Sequence, residues 1–481
     1  MRILKRFSPG NPGSGGSARD ARKGLVRDLA RLLDGQRVRG DPEDLFAYAG
    51  DATHYLFRGK PDVVVLPENT AEVSRVVRYA YDHSIPLVPR GAGSGLSGGC
   101  TPIHGGIVLD TKRMRRILEV NRGNMSASVE AGVVLADFHR TVEKQGLFYP
   151  PNPQSMIVCT LGGNVATRAC GPHGVKYGST ADYVTGLEVV LPDGTVITPG
   201  GRVPRSSVGY DLTHLFTGSE GTLGVITRVH LKLLALPAAR RTAVIVCGSV
   251  DQAARIVSEI IAGGTLPATL EFLPLMAIVA MNKLISPPLA TTGQAYLLLE
   301  LDGSPEGIES QTAHLRDLCR RMEALDLRVV QEEREAATYW EARYKLWSMS
   351  LAVMKKVITE DVAVPRDRLP DFVRAVQAIS TTVSRVILGV GGHAGDGNMH
   401  PNVLFPEVSE EAEKEAQISI ERIVRAGLEL GGTISGEHGI GLHKADFLAW
   451  ELGDAQIEVL KKIKQAIDPR GIMNPGKIWK H

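Results

Sequence analysis

The chain has 481 residues, which is enough for two or three domains with well-packed cores. Its formal net charge of +2 gives no overall attraction for nucleic acid or for an anionic membrane, so neither is an expected partner. Hydrophobic residues make up 43% of the chain, which excludes a disordered protein. Because no apolar run reaches the roughly 18 residues of a membrane span, we expect none.

The first half of the chain is predicted to contain short strands separated by glycine-rich turns. One helix start is well marked, because Asn69 followed three residues later by Glu72 is a capping pattern. In chain order, the patterns predict a helix over 18–34, a strand over 62–66, a helix after Asn69, and strands over 85–88, 106–110, 126–131, 185–191, 195–198 and 222–233.

After residue 236 the pattern changes to longer strands that alternate with longer helices. The predicted strands are 242–247, 268–273, 295–301 and 385–405, and the predicted helices are 251–262, 305–324, 335–355, 409–430 and 454–467. This order is typical of an α+β domain with helices on one face of an antiparallel sheet. We therefore predict a first domain over 21–236, a second over 237–450 and a C-terminal segment over 451–481.

Both the cysteines and the N-terminus indicate a cytoplasmic protein. The five cysteines lie far apart and form no CxxC pair, so they are expected as buried free thiols and cannot hold an iron–sulfur cluster. Residues 1–20 combine basic side chains with a stretch rich in Pro, Gly and Ser, and they contain no apolar core. We predict a flexible leader there and no signal peptide.

Glycines are 52 of the 481 residues, above the ordinary share of about 7%, and many lie in loops of the first half. In the first loop, Gly93, Gly95 and Gly98 match the G-x-G-x-x-G pattern of dinucleotide-binding Rossmann folds. A Rossmann site needs a helix directly after these glycines, but further glycines and Pro102 intervene and the next element is a strand. A nest of converging backbone N–H groups is the better interpretation.

Two further loops, residues 160–178 and 216–227, are also rich in glycine and poor in charge. Glycine lets a ligand lie directly against the backbone. Three such loops therefore indicate one long ligand held largely by main chain, and a dinucleotide fits that description. Tight turns without a ligand are the alternative.

The stretches Pro89–Gly99, Pro150–Gly178 and Gly218–Thr227 resemble the FAD-binding half of the vanillyl-alcohol-oxidase type flavoproteins. Within that superfamily, the chain is similar from about residue 40 to its end to the group of glycolate oxidase flavoprotein subunits, D-lactate dehydrogenases and D-2-hydroxyglutarate dehydrogenases. The resemblance implies a two-subdomain FAD-binding domain, an α+β substrate (cap) domain and a C-terminal segment that returns to the FAD domain. The FAD would be noncovalent, since residues 90–99 lack the histidine through which some relatives attach the flavin.

The resemblance also implies which residues contact FAD. Those around the pyrophosphate would be Arg90, Gly91, Ala92, Gly93, Ser94, Ser97 and Gly98. Those around the rest of the cofactor would be Thr160, Gly163, Asn164, Gly174 and Ile226. Weaker candidates for lining the pocket are Glu220, Tyr210 and, on the cofactor side, Asn474.

A metal site is indicated by the run over 390–402. Asp396-Gly397 between strand-like runs is typical of a two-residue hairpin turn, which would place His393 directly opposite His400. Opposite residues have Cβ atoms roughly 4.5–5.5 Å apart, so the two imidazoles could share one ion. Zn²⁺, Mn²⁺ and Fe²⁺ all suit such ligands, and a packed histidine pair is the alternative.

Glu437 and His438 are candidates for a third metal ligand and a catalytic base. Glu437 can complete a set of two histidines and one carboxylate. In extended backbone His438 would face away from the metal in the same pocket and be free to act as a base. The resemblance implies the same roles, because His393, His400 and Glu437 match the family's metal ligands and His438 matches the residue that takes the substrate proton. A glycine-rich surface loop is the alternative.

These features predict FAD-dependent oxidation of a small 2-hydroxy acid to the 2-keto acid, with metal-assisted binding and His438 as base. The chain departs from its relatives where an L-W-x-x-R stretch supplies Arg and a later position supplies Lys. Here these positions are Ser350 and Thr359, which favours D-lactate or glycolate over 2-hydroxyglutarate. The candidates to replace the missing cation are Arg343, Lys345, Lys355 and Lys356.

Electrons must pass from the flavin to an external acceptor, because the chain holds no cluster cysteines. An iron–sulfur subunit, an electron-transfer flavoprotein, a quinone and O₂ stay open, and the resemblance favours a partner subunit. A homodimer also stays open. The alternative functions are a metal-dependent hydrolase using His393, His400 and Glu437, and a non-catalytic nucleotide-binding subunit.

Overall fold

The computed structural model describes residues 15–53 and 56–479, with side chains described from residue 22 onwards. The strands of these ranges form a four-stranded, a five-stranded and an eight-stranded sheet together with a two-stranded ribbon. No helix in the described ranges combines the length and the apolar character needed to span a membrane. All five cysteines are free thiols, three of them buried.

The first region is a four-stranded sheet that carries the first glycine loop. Its elements are α1 (Gly15–Leu32), β1 (Val38–Arg39), α2 (Pro42–Ala47), β2 (Val63–Val65), α3 (Thr70–Asp82), β3 (Leu87–Arg90) and β4 (Ile107–Asp110). The strands lie in the order β1-β2-β4-β3, with β2, β4 and β3 parallel. Asn69 caps α3 by accepting the N–H of Glu72, as the sequence predicts. The glycine loop runs from β3 directly to β4, without the helix that a Rossmann site requires.

The predicted flexible leader over 1–20 is partly wrong. Residues 1–14 lie outside the described part of the chain, but α1 begins at Gly15, so the end of the leader is helical. Its alanine and arginine residues are good helix formers, so the helix begins before Leu25, where the apolar periodicity starts.

The second region is an antiparallel sheet in the order β5-β6-β10-β8-β9, next to a ribbon of β7 and β11. Its elements are β5 (Ile117–Asn121), β6 (Ser126–Glu130), α4 (Leu135–Glu143), β7 (Leu147–Phe148), α5 (Leu161–Thr167), α6 (Gly174–Tyr177), β8 (Val184–Val190), β9 (Val196–Ile197), α7 (Leu212–Phe216), β10 (Val225–Lys232) and β11 (Leu234–Ala235). The second and third glycine loops surround α5 and precede β10. Both therefore lie at the edge of this sheet's core, which includes Leu161 and Ile226.

The third region is one large antiparallel sheet with helices. Its elements are β12 (Ala239–Cys247), α8 (Val250–Ala262), β13 (Thr269–Pro274), α9 (Leu275–Met281), β14 (Ala295–Gly303), α10 (Pro305–Arg321), β15 (Asp326–Val329), α11 (Glu333–Val353), β16 (Lys356–Thr359), β17 (Val362–Ala363), α12 (Leu369–Ser380), β18 (Ile387–His393) and β19 (Asn398–Phe405). The strand order is β15-β12-β14-β13-β18-β19-β16, and β17 also pairs with β19.

The expectation that helices cover one face of this sheet is wrong. Helices α8, α10 and α12 pack on one face, whereas α9 and α11 pack on the other. Neighbouring residues of β12 show why: Ile245 belongs to the first core and Val246 to the second, since successive side chains of a strand point to opposite faces. Both faces of β12 are apolar, and so both require a cover.

The chain ends with α13 (Glu410–Glu429) and α14 (Leu448–Ile467), the latter interrupted at Gly453. The last described residues then run alongside β3. Leu87 donates its N–H to the Ile472 carbonyl at 2.8 Å, and Asn474 donates its N–H to the Leu87 carbonyl at 2.7 Å. The C-terminal segment is thereby fixed next to the strand that leads into the first glycine loop.

Candidate active site

A cavity of about 620 Å³ extends from the glycine loops to the face of the large sheet that bears the histidines. Predicted cofactor residues line one end of it. These are Arg90, Gly91, Ala92, Gly93, Ser94, Ser97, Thr160, Gly163, Asn164 and Ile226. The other end is lined by His393, His400, Glu437 and His438, so the structure brings both predicted sites into one continuous space.

The glycine loops fit a long ligand held by main chain. In the described part of the chain, the N–H groups of residues 92–96 donate no backbone hydrogen bond, which leaves them for the oxygens of an anion. A Cβ on Gly91 would lie 2.3 Å from Thr160 Oγ1, so only glycine lets the first and second loops approach this closely. Arg90 lies beneath the loop, where its guanidinium donates to the Gly50 carbonyl at 2.7 Å and brings a positive charge to this end.

Four predicted residues do not line the cavity. Gly98 packs against Phe57 and Leu442, and Gly174 lies against Asp396. Tyr210 is 95% exposed and far from a pocket environment. Asn474 is buried, but its side-chain amide donates to two loop carbonyls and therefore supports the loops from behind.

The hairpin carries the two histidines in a different register from the predicted one. His393 pairs with Asn398, and His400 pairs with Gly391, because the turn contains four residues and Gly397 takes its left-handed position at φ +81°. The prediction that His393 lies directly opposite His400 is therefore wrong by two residues. A shift of two keeps both side chains on one face, and their ring centroids still lie 4.9 Å apart.

The three predicted metal ligands converge. His393 Nε2 lies 3.0 Å and His400 Nε2 lies 3.4 Å from the same oxygen of Glu437. Two atoms bound to one tetrahedral zinc at 2.0–2.1 Å are about 3.4 Å apart, so the donor set fits a shared divalent ion. Burial opposes ionisation of Glu437, but the hydrogen bonds from both histidines hold the pKa of its carboxyl well below the usual range.

The second oxygen of Glu437 is fixed by the first half of the chain. Glu437 Oε2 accepts the N–H of Gly171 at 2.7 Å and the N–H of Cys170 at 3.1 Å. This contact explains the close packing around Gly174, whose neighbours Cys170 and Asp396 lie next to the carboxylate. Glu437 therefore points at the histidines from a backbone anchor outside the large sheet.

Glu271 and Arg343 complete the surroundings of His393, and sequence reasoning missed the role of Glu271. Its carboxylate is fully buried, accepts from His393 Nδ1 at 2.6 Å and accepts from Arg343 Nε at 2.7 Å. Although burial opposes it, the charges of Arg343 and His393 lower the pKa of Glu271 to about 2. The available signal was an acidic residue inside the apolar strand β13.

His438 lies beside the predicted metal ligands rather than facing away from them. Its ring stacks on that of His400, with centroids 5.1 Å apart and planes 4° from parallel. The backbone here is bent, not extended, because the N–H groups of Glu437 and His438 both donate to Asp361 Oδ2 at 2.9 Å. Among the described residues His438 Nδ1 is buried without a hydrogen-bond partner, and desolvation lowers the pKa of the ring to about 4, which leaves a neutral proton acceptor.

One of the four expected replacements for the missing cation reaches the cavity. Arg343 lines it, as do Ser350 and Thr359. Lys345 pairs with Glu341 at the exposed surface, and Lys356 pairs with Glu413. Lys355 is exposed and does not line the cavity. Among the described lining residues of the histidine end, Arg343 supplies the one guanidinium or ammonium group.

Comparison with known proteins decides the family. The family described as FAD linked oxidases, C-terminal domain, matches residues 236–478, and the FAD binding domain family matches residues 61–200. The chain belongs to the FAD-linked oxidases. It is therefore an FAD-dependent oxidoreductase, and neither a metal-dependent hydrolase nor a non-catalytic nucleotide-binding subunit. The long ligand that fits the glycine loops is FAD.

Named relatives of this FAD-linked oxidase cover nearly its whole length. "Glycolate oxidase subunit GlcD" of Bacillus subtilis (strain 168) is 40% identical over 432 residues, which span 90% of this chain and 92% of the relative. "D-lactate dehydrogenase" of Anaerostipes hadrus is 33% identical over 456 residues, spanning 93% and 94%. The structure of p-cresol methylhydroxylase with bound substrate shares the fold, at a TM-score of 0.78 and 17% identity over 97% of this chain and 98% of that one.

Proposed function

We propose that this FAD-linked oxidase converts a small 2-hydroxy acid, D-lactate or glycolate in the first place, to the 2-keto acid. The observation that supports this most is that one cavity joins the glycine loops to His393, His400, Glu437 and His438. The two named relatives act on acids of this class, as their names state. FAD, when bound, supplies the two-electron acceptor for the hydrogen on the substrate carbon.

The proposed metal ligands are His393, His400 and Glu437, whose donor atoms lie within 4.8 Å of one another. A divalent ion held there would supply a Lewis acid for the substrate hydroxyl and carboxylate. Zn²⁺, Mn²⁺ and Fe²⁺ all match two imidazoles and one carboxylate.

His438 is the proposed base, and it takes the hydroxyl proton of the substrate. His438 lines the cavity, its Nδ1 is without a hydrogen-bond partner among the described residues, and its ring is neutral at neutral pH because burial lowers its pKa to about 4. A neutral imidazole has a lone pair for the proton, and the carboxylate of Asp361 nearby stabilises the imidazolium that forms. Proton removal is thereby assigned to a side chain, while the carbon-bound hydrogen leaves on the cofactor side of the cavity.

Arg343 is the proposed partner of the substrate carboxylate. It lines the cavity, and one oxygen of Glu271 accepts from its Nε while the other oxygen accepts from His393. A guanidinium fixed in this way can bind a carboxylate with its remaining N–H groups. With Ser350 and Thr359 in the cavity wall, a second carboxylate would have no cation to bind.

The proposal predicts a selective substrate screen. Flavin bleaching under anaerobic conditions should be efficient with D-lactate or glycolate. With malate or 2-hydroxyglutarate, kcat/KM should be at least about tenfold lower, because the second carboxylate is left unpaired. L-lactate serves as the stereochemical control. Equal rates with the dicarboxylates would contradict the assignment of the cavity wall, and no bleaching with any 2-hydroxy acid would contradict the proposed reaction.

Glu271 is expected to control metal affinity through His393. Glu271→Gln keeps the size of the side chain but removes the charge that polarises His393 Nδ1–H, so the affinity for the metal should fall about 10–100-fold. Metal titration of the chelator-treated variant measures this effect. Glu300→Gln, in the adjacent strand β14, is a matched control and should bind metal like the parent protein. An unchanged affinity in Glu271→Gln would remove Glu271 from the site.

We further propose that a separate redox partner takes the electrons. The support is the printed name of the Bacillus subtilis relative, which calls it a subunit, and the cysteine spacing of this chain, which offers no cluster site. Reoxidation of the bleached flavin by air, by a quinone analogue or by a purified partner distinguishes the acceptors.

A further inference from the structure

The short segment Ser435–Gly441 carries both Glu437 and His438, and two buried carboxylates hold it. At its first end, Asp361 Oδ2 accepts the Ser435 hydroxyl at 2.9 Å and the N–H groups of Glu437 and His438. Asp361 comes from the strand-rich second half of the chain. These bonds fix the start of the segment, but they leave the part after His438 to be held from elsewhere.

Glu220 holds the other end. Its two carboxylate oxygens accept the N–H groups of Ile440 and Gly441, each at 2.8 Å. Gly439 lies so close to this carboxylate that a Cβ there would be 3.0 Å from Glu220 Oε1, and its φ is +77°. The segment is therefore pressed against Glu220 directly after His438.

Glu220 belongs to the FAD side of the cavity. It lies in the third glycine loop, lines the cavity and donates its N–H to the Ala166 carbonyl of the second loop at 2.8 Å. Its own carbonyl accepts from the Asn474 amide, which also donates to the Gly99 carbonyl of the first loop at 2.8 Å. Glu220, in the third loop, therefore bonds to the second loop directly and is linked to the first loop through Asn474, while its carboxylate binds the segment of His438.

Glu220 has a backbone conformation that is unusual for a residue other than glycine. Its φ is +51°, in the left-handed region that residues other than glycine seldom adopt. Glycine would adopt this conformation more readily, but glycine has no carboxylate to bind the two N–H groups. A carboxylate at this position is thus kept against a backbone preference.

From this geometry we infer that Glu220 is a positioning residue, which fixes His438 relative to the flavin by tying the segment 435–441 to the FAD loops. This inference rests on the proposed function of His438 as base. Displacement of a reacting group by about 1 Å can cost about 100-fold in rate. Glu220 contacts the FAD loops through its backbone N–H and carbonyl, which a substitution of its side chain keeps. The expected consequence is a loss in the reaction step with FAD and substrate binding retained.

The test compares Glu220→Gln and Glu220→Ala with the parent holoenzyme in anaerobic stopped-flow reduction by D-lactate or glycolate. Glu220→Gln keeps one acceptor oxygen and should lower the limiting rate of flavin reduction about tenfold, and Glu220→Ala about 100-fold. FAD content and the substrate concentration at half-maximal rate should stay unchanged. Glu130→Gln is the matched control, because Glu130 is a buried carboxylate that also accepts a backbone N–H, from Arg116, away from the segment.

A double-mutant cycle with His438→Ala separates positioning from a general structural role. If Glu220 acts through His438, Glu220→Gln should have little further effect on the rate once His438 is alanine. Full additivity, an unaltered rate in folded Glu220→Gln, or loss of FAD in both Glu220 variants would each overturn the inference. Failure of the proposed role of His438 can be distinguished from failure of this inference, because in that case the His438→Ala single variant would reduce its flavin at the parent rate.

Discussion

His438→Ala is expected to lower the rate of flavin reduction by the substrate about 10²–10⁴-fold, the range that general-base catalysis contributes. FAD and metal should stay bound, because Asp361 holds the backbone N–H of residue 438 and not its ring. The methyl group of alanine leaves space beside His400, so added imidazole should restore part of the rate. Stopped-flow absorbance of the flavin measures the effect.

His214→Ala is a suitable control, since the His214 side chain is half exposed and pairs with Asp211 at the surface. It should reduce its flavin like the parent protein. A His438→Ala protein with full FAD content and a near-normal rate would show that the proton leaves by another route.

Removal of the metal is the second large expected effect. His400→Ala should lower the metal content from about one ion per chain to near zero and slow flavin reduction by at least about 100-fold, because Lewis-acid catalysis is worth several kcal/mol. His400 suits this test better than His393, since its replacement leaves the buried pair of Glu271 and Arg343 intact. Elemental analysis and single-turnover reduction are the two measurements.

Metal removal from the unaltered protein provides the control. Dialysis against a chelator should abolish the same activity, and adding back Zn²⁺, Mn²⁺ or Fe²⁺ separately should identify the ion that restores it. Activity that persists in metal-free protein would show that the two histidines are a packed aromatic pair and not metal ligands. Arg343 and His438 would then be the remaining substrate-binding groups.

Local patterns were enough to predict most of the helices and strands and the convergence of His393, His400 and Glu437. The predicted and observed pairings of the hairpin differ by two residues, and a shift of two leaves every side chain on the same face of the sheet. The prediction that His393 and His400 share one face was therefore correct despite the wrong turn length. The turn length itself was beyond the sequence, because a glycine after aspartate fits both a two-residue and a four-residue connection. The pairing of His393 with Glu271 was also out of reach, since it joins two strands more than one hundred residues apart.

The sequence also could not show which loop glycines line the cavity or which cation reaches it. Glycine-rich patterns correctly indicated an FAD-binding protein, but Gly98 and Gly174 use their small size for packing within the protein. The helical phase of α11 could not decide between Arg343 and Lys345, because α11 is long and its inward face depends on how it packs over the large sheet.

One carboxylate oxygen of Glu437 accepts hydrogen bonds from the first half of the chain, and the other oxygen faces the two histidines of the second half. Neither half alone would therefore present a finished set of ligands with its orientation secured. An isolated C-terminal fragment would keep both imidazoles but lose the amides of residues 170 and 171 that aim the acid. The proposed metal centre therefore depends on correct docking of the two halves of the chain.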